Sequence, residues 1–180
     1  MNVFQKNKPF FIFLLKFGGT YMVLSVLYWA YLSQYNTEKN EVDGITHLVS
    51  DQSAWVARVF GKDAYVQHHE SEASYRFFVY GKHLTRIVEG CNAVAVMILF
   101  VAFIVAFSST FKRTSLYIVT GLVIIHLLNL IRIALLNIGL YYYKGSGPLL
   151  HDIVFPLFIY GVVMLLWIAW VSKFRGNAAK

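Results

Sequence analysis

The sequence predicts an all-α integral membrane bundle of about four transmembrane helices, with a small extracytoplasmic α+β segment between the first and second spans. Three observations predict it. The chain of 180 residues is 58% hydrophobic and 17% aromatic but only 14% charged, which is too apolar for a soluble domain of that size. Its apolar residues come in runs near the ~20 helical residues needed to cross a bilayer. Its basic residues gather on one side of those runs.

The first run, 10–32, is broken only by Lys16 and ends in Tyr28-Trp29-Ala30-Tyr31, an interfacial aromatic belt. Its core exceeds the ~7–15 residues of a secretory signal, so it is expected to be a retained anchor. The second run is 91–111. The third, 116–143, is long enough to tilt or to project beyond the lipid. The last is 153–171, and 172–180 forms a tail. Residues 91–171 thus make a three-helix membrane core.

Lys6, Lys8, Lys112, Arg113, Lys173, Arg175 and Lys180 flank the spans on the side shared by both termini. In 33–90, acidic residues outnumber basic ones eight to six. By the positive-inside rule both termini face the cytoplasm, and 33–90 and 144–150 face outwards. This topology accounts for the net charge of +7, so no nucleic-acid partner is required.

Within 33–90, Ile45, Leu48, Val49, Trp55, Val56, Val59 and Phe60 recur at helical spacing and predict an amphipathic helix over 45–60, ended by Gly61. Its apolar face is expected on the membrane surface or against the bundle. Ala64-Tyr65-Val66-Gln67 and 74–80 read as two strands joined by the polar turn 68–73. Gly81-Lys82 starts a further turn, and 84–88 leads into Cys91. His68, His69, Glu70 and Glu72 read as a solvated hairpin tip; neighbouring strand residues face opposite ways, and no metal or cofactor is expected.

Three out-of-place residues carry the chemistry. Cys91 is the single cysteine, in Glu89-Gly90-Cys91-Asn92. Arg132 lies inside the third apolar run, where an arginine costs about 2.5–3.5 kcal/mol and so faces the bundle interior or a water-filled cavity. His151 stands just before the last span. At about 1.5 Å per residue from Leu116, Arg132 sits ~24 Å up its helix, and Asn129 lies one turn deeper on nearly the same face. With the charge-derived topology, Cys91, Arg132 and His151 all fall in the outer leaflet or at its surface. That set suits acyl transfer: Cys91 as nucleophile, His151 as general base and acid, and Arg132 stabilising the oxyanion. His126, six residues deeper than Arg132, reads as a packed or network histidine, and Asp152 favours a helix start.

Glu89-Gly90-Cys91-Asn92-Ala93, Asn129-Leu130-Ile131-Arg132 and His151-Asp152 followed by Gly161 resemble the motifs of the exosortase/archaeosortase family of membrane cysteine transpeptidases, in order and spacing. The short exosortase F-like type is the nearest subgroup. The resemblance implies a bacterial inner-membrane enzyme that cleaves exported proteins at a C-terminal sorting tail. Cys91, Arg132 and His151 would be catalytic, with Glu89, Asn92 and Asn129 in support. Many members carry Ser-Gly or Thr-Gly after the cysteine, where this chain has Asn92-Ala93. Many are also larger, which leaves room for an accessory membrane protein to complete the bundle. The competing reading is a non-catalytic membrane assembly or docking factor, with Arg132 and Asn129 as an interhelical polar network. A transporter with Arg132 on an anion path is disfavoured by the lack of an inverted repeat.

Overall fold

The computed structural model describes residues 7–143 and 154–174. The described chain is mostly helical and runs α1 (Lys8–Leu32), α2 (Gly44–Val59), β1 (Ala64–His68), β2 (Tyr75–Val79), β3 (Lys82–Ile87), α3 (Val94–Ala106), α4 (Phe111–Tyr142) and α5 (Phe155–Phe174), with short 3-10 turns at Thr37–Lys39 and Glu89–Cys91. Two helices, α1 and α4, are long and apolar enough to cross a membrane, while the apolar stretches Val94–Ala106 and Pro156–Ser172 are shorter.

Helix α1 buries none of its residues within the chain, and Leu15, Met22 and Trp29 are 77%, 68% and 70% exposed. Its 25 residues span about 37 Å at 1.5 Å each, enough for a hydrocarbon core of about 30 Å. Helix α3 is shorter than its apolar run. It begins at Val94 because Ala93 is left-handed (φ 62), and the Asn92 Oδ1 accepts the Val94 N–H at 2.9 Å. It stops at Ala106 ahead of Ser108-Ser109-Thr110, where the Ser109 N–H turns to the Thr114 hydroxyl at 3.1 Å. Helix α4 starts at Phe111 rather than Leu116, so Lys112 and Arg113 belong to its first turn and not to a loop.

The long α4 joins two cores. Its first half packs with α3 and α5 around Phe100, Ile104, Ile125, Val163 and Trp170. Tyr117 donates its hydroxyl to the Leu166 carbonyl at 2.7 Å, and Trp170 donates its indole N–H to the Phe107 carbonyl at 3.1 Å, closing the end of α3. Gly121 sets the helix spacing here: a methyl group added to it would overlap the fully buried Phe100 ring. Gly121→Ala is therefore expected to cost about 1–3 kcal/mol by overpacking. Thermal unfolding in detergent measures the loss, and a Gly121→Ala/Phe100→Leu pair should recover part of it.

The second half of α4 is sheathed by α2 and the sheet, with Val49, Ala57, Phe77, Val79 and Ile87 packed on Leu130, Ile133 and Ala134. Asp43 caps α2, its carboxylate accepting the Ile45 and Thr46 N–H groups at 3.1 and 2.9 Å. The face of α2 turned inward is the one with small residues: Thr46, Val49, Ser50, Ser53, Ala54 and Ala57 are buried, whereas Leu48, Trp55, Val59 and Phe60 are exposed. The apolar periodicity thus marks mainly the outward face. Small residues on the inward face let α2 approach α4 closely, as at helix interfaces in membrane proteins.

The sheet has three strands in the order β1-β2-β3, not two. Both hairpins are antiparallel. The β2–β3 turn is Tyr80-Gly81, both at positive φ (50 and 72), as a two-residue hairpin of the I′ kind requires. Tyr80 is held there from outside the hairpin: its N–H donates to the Asp63 carbonyl at 2.8 Å, and its ring lies 5.2 Å from that of Tyr141. Lys62 reinforces this junction, donating to the Tyr142 hydroxyl at 2.9 Å; that bond holds its ammonium pKa above the ordinary range. At the β1–β2 tip the histidines part company. His68 meets the Asn40 carbonyl at 2.9 Å, His69 meets Arg76 at 3.1 Å, and Glu72 pairs with Arg86. Among the described residues no group of three His, Cys, Asp or Glu converges.

Candidate active site

Cys91 is not in a helix of the bundle. It is the last residue of the Glu89–Cys91 3-10 turn between β3 and α3, and its N–H donates to the Val88 carbonyl at 2.8 Å. Two sets of polar side chains hold this turn. On one side, Asn92 is 2% exposed and uses its whole amide: Oδ1 caps Val94, while Nδ2 donates to the Tyr28 hydroxyl at 2.8 Å and to the Thr46 hydroxyl at 3.1 Å. Tyr28 donates in turn to the Glu89 carboxylate at 2.7 Å. Helices α1 and α2 thus both grip the turn through Asn92.

On the other side stands α4. The buried Asn129 donates its Nδ2 to the Cys91 carbonyl at 2.9 Å, and its Oδ1 accepts from Arg132 Nη1 at 3.1 Å. The one-turn spacing of Asn129 and Arg132 allows this, since residues three apart share a helix face. Arg132 is close enough to the Cys91 thiol and the Tyr160 phenol to interact electrostatically with both. One buried amide therefore links the turn that carries the thiol to the guanidinium.

Cys91 and Arg132 open onto one cavity of about 380 Å³, whose other walls are Thr85, Arg86, Ile87 and Val88 from the sheet side and Ile133 and Leu136 from α4. A hydroxyl–amide pair steadies the cavity wall: Thr85 donates to Asn137 Oδ1 at 2.8 Å, and Asn137 Nδ2 donates to the Ile133 carbonyl at 2.9 Å. Chemically the cavity offers a half-buried thiol, a fixed planar cation and an apolar floor.

A profile of the family described as transmembrane exosortase matches residues 11–171. The chain belongs to the transmembrane exosortase family. Comparison with curated proteins and with solved structures gave no match. Membership places this exosortase among membrane transpeptidases and proteases in general terms, and its apolar helices in a membrane.

Of the six residues singled out in the sequence, the structure places Cys91 and Arg132 on the same cavity and Asn129 between them. Asn92 lies behind the cysteine turn, and Glu89 lies at the far end of the Tyr28 link. Among the described residues Glu89 makes no salt bridge with Arg132; its carboxylate accepts from the Tyr28 hydroxyl. His151, Asp152 and the 144–150 turn lie outside the described residues. His126 is a network histidine, its Nε2 2.7 Å from Gln52 Oε1. Tyr28, Thr46 and Tyr160 were missed. Tyr28 reads as one more aromatic of the belt, and nothing in local sequence ties it to Asn92, 64 positions away.

Ala93 explains a departure from the family pattern. The position where many members have glycine is left-handed here, a conformation glycine adopts freely and alanine at a cost of roughly 1–2 kcal/mol. Asn92 and its three hydrogen bonds hold the turn despite that cost.

Proposed function

We propose that this exosortase is a membrane cysteine transpeptidase that cleaves C-terminal sorting tails of exported proteins, with Cys91 as nucleophile, Arg132 as oxyanion stabiliser and His151 as general acid and base. The observation that carries the reading is the shared cavity of Cys91 and Arg132, coupled through Asn129. His151 takes the thiol proton as sulfur attacks the scissile carbonyl carbon. The oxygen becomes an anion facing Arg132, whose charge counts for most where water is excluded. Collapse breaks the C–N bond, His151 protonates the departing amine, and a Cys91 thioester remains. Water or an acceptor amine then releases the acyl group.

The positive-inside pattern supports a multi-pass protein of the bacterial inner membrane with cytoplasmic termini and an extracytoplasmic site. Alkylation of intact cells with a membrane-impermeant thiol reagent tests both claims. Cys91 should be labelled from outside, faster than a free cysteine peptide, and His151→Ala and Arg132→Ala should slow it. In the native host, Cys91→Ala should leave the protein folded in the membrane while exported proteins keep their tails. The assembly-factor reading draws on the same hydrogen bonds, one within α4 and one from α4 to the cysteine turn, and it expects Cys91→Ala to change nothing. Labelling only after permeabilisation would reverse the topology.

A further inference from the structure

We propose that the substrate's scissile segment is bound as an added β-strand along the outer edge of β3, running past Cys91. This rests on the reading of Cys91 as nucleophile. The strand order makes β3 an edge strand, and among the described residues no backbone group pairs with its outer side. Side chains reach one carbonyl on each outer strand: Arg58 Nη1 meets the Ala64 carbonyl of β1 at 2.8 Å, and His83 Nε2 meets the Thr85 carbonyl of β3 at 3.2 Å.

The lining of the cavity shows which aspect of β3 it meets. Successive side chains of a strand point to opposite faces, so a cavity over one face is lined by alternate residues. This one is lined by the consecutive run Thr85, Arg86, Ile87 and Val88. It therefore lies along the backbone edge, where N–H and C=O groups point. Beyond Val88 the chain turns directly into Glu89–Cys91, so the nucleophile is the continuation of the edge itself.

A peptide added there satisfies its backbone through main-chain hydrogen bonds, while pockets for alternate side chains supply specificity. Thr85, Arg86 and Ile87 are the strand residues of this run, and Val88 lies past the end of β3 with its carbonyl taken by the Cys91 N–H, so the edge accommodates about 10 Å of extended chain. One set of alternate side chains would rest on the apolar floor of Ile133 and Leu136. The requirement is for an extended peptide, not for a folded domain or a helix entering the site.

The full-length protein in detergent, treated with three probes and followed by intact mass, tests this. The first probe is 2-chloroacetamide. The second is a library of tetrapeptidyl chloromethyl ketones. The third is the fastest library member N-methylated at each backbone amide in turn. Each rate is divided by that for N-acetylcysteine. The expected result is that Cys91 outpaces N-acetylcysteine with chloroacetamide, that the best peptides react faster still, and that methylating alternate amides costs at least tenfold while the intervening ones tolerate it. A Cys91 no faster than N-acetylcysteine with chloroacetamide would remove the nucleophile reading, and this proposal with it. An activated Cys91 that gains nothing from a peptide, or that is indifferent to which amide is methylated, would overturn strand addition alone.

Discussion

Replacing Arg132 by lysine should lower tail cleavage by about 100- to 1,000-fold, the loss seen when one oxyanion donor is removed, while the protein stays folded. The substitution keeps the positive charge but replaces a planar fork with a single ammonium. In this exosortase the fork is oriented by Asn129, which accepts from Nη1 at 3.1 Å while its Nδ2 holds the Cys91 carbonyl at 2.9 Å. A lysine offers a shorter, round cation that cannot serve Asn129 and a developing oxyanion with the same geometry. Processing of exported precursors in cells carrying Arg132→Lys measures the effect, with membrane abundance and thermal midpoint as controls for folding. Activity within threefold of wild type would show that Arg132 is only a counter-ion.

Asn92→Leu should cost both stability and activity. The buried amide satisfies the Val94 N–H, Tyr28 and Thr46 together, and each buried polar group left without a partner costs about 1–3 kcal/mol. The Cys91 turn would then shift, and a displacement of about 1 Å at a reacting group lowers rate by roughly 100-fold. Asn92→Ser separates the two functions of the amide, because a hydroxyl retains the acceptor for Val94 but not the reach to α1 and α2. It should keep more stability than Asn92→Leu, and Tyr28→Phe should fall between wild type and Asn92→Ser in both measures. Thermal unfolding and precursor processing on the same samples check the ranking. A wild-type Asn92→Leu would reduce the network to an incidental contact.

The site was legible in part because membranes punish misplaced polarity. Arg132 and Asn129 stand in an apolar helix, where desolvation forces them inward, and helical spacing already put them on one face. Helix α2 was legible from its period, though its facing was not. The apolar stripe of Leu48, Trp55 and Val59 turns outward and the Ser/Ala stripe turns in, because small side chains allow the close approach to α4. Strand β3 was illegible because its hairpin turn, Tyr80-Gly81, lacks the usual Asn or Asp; Tyr80 is kept left-handed by Asp63 and Tyr141, contacts remote in sequence.

By itself, then, the sequence determined the membrane class and the identity of the polar residues, which follow from composition, local period and the cost of burying charge, while the family rested on the resemblance of its three motifs. Only the tertiary structure decided that Cys91 sits in a turn rather than a helix, that an amide 38 positions away couples it to Arg132, and that β3 presents its edge to their cavity. Those facts depend on hydrogen bonds between distant segments and on two non-glycine residues, Tyr80 and Ala93, held left-handed by their surroundings. Local propensity disfavours both conformations, and only the assembled fold compensates for them.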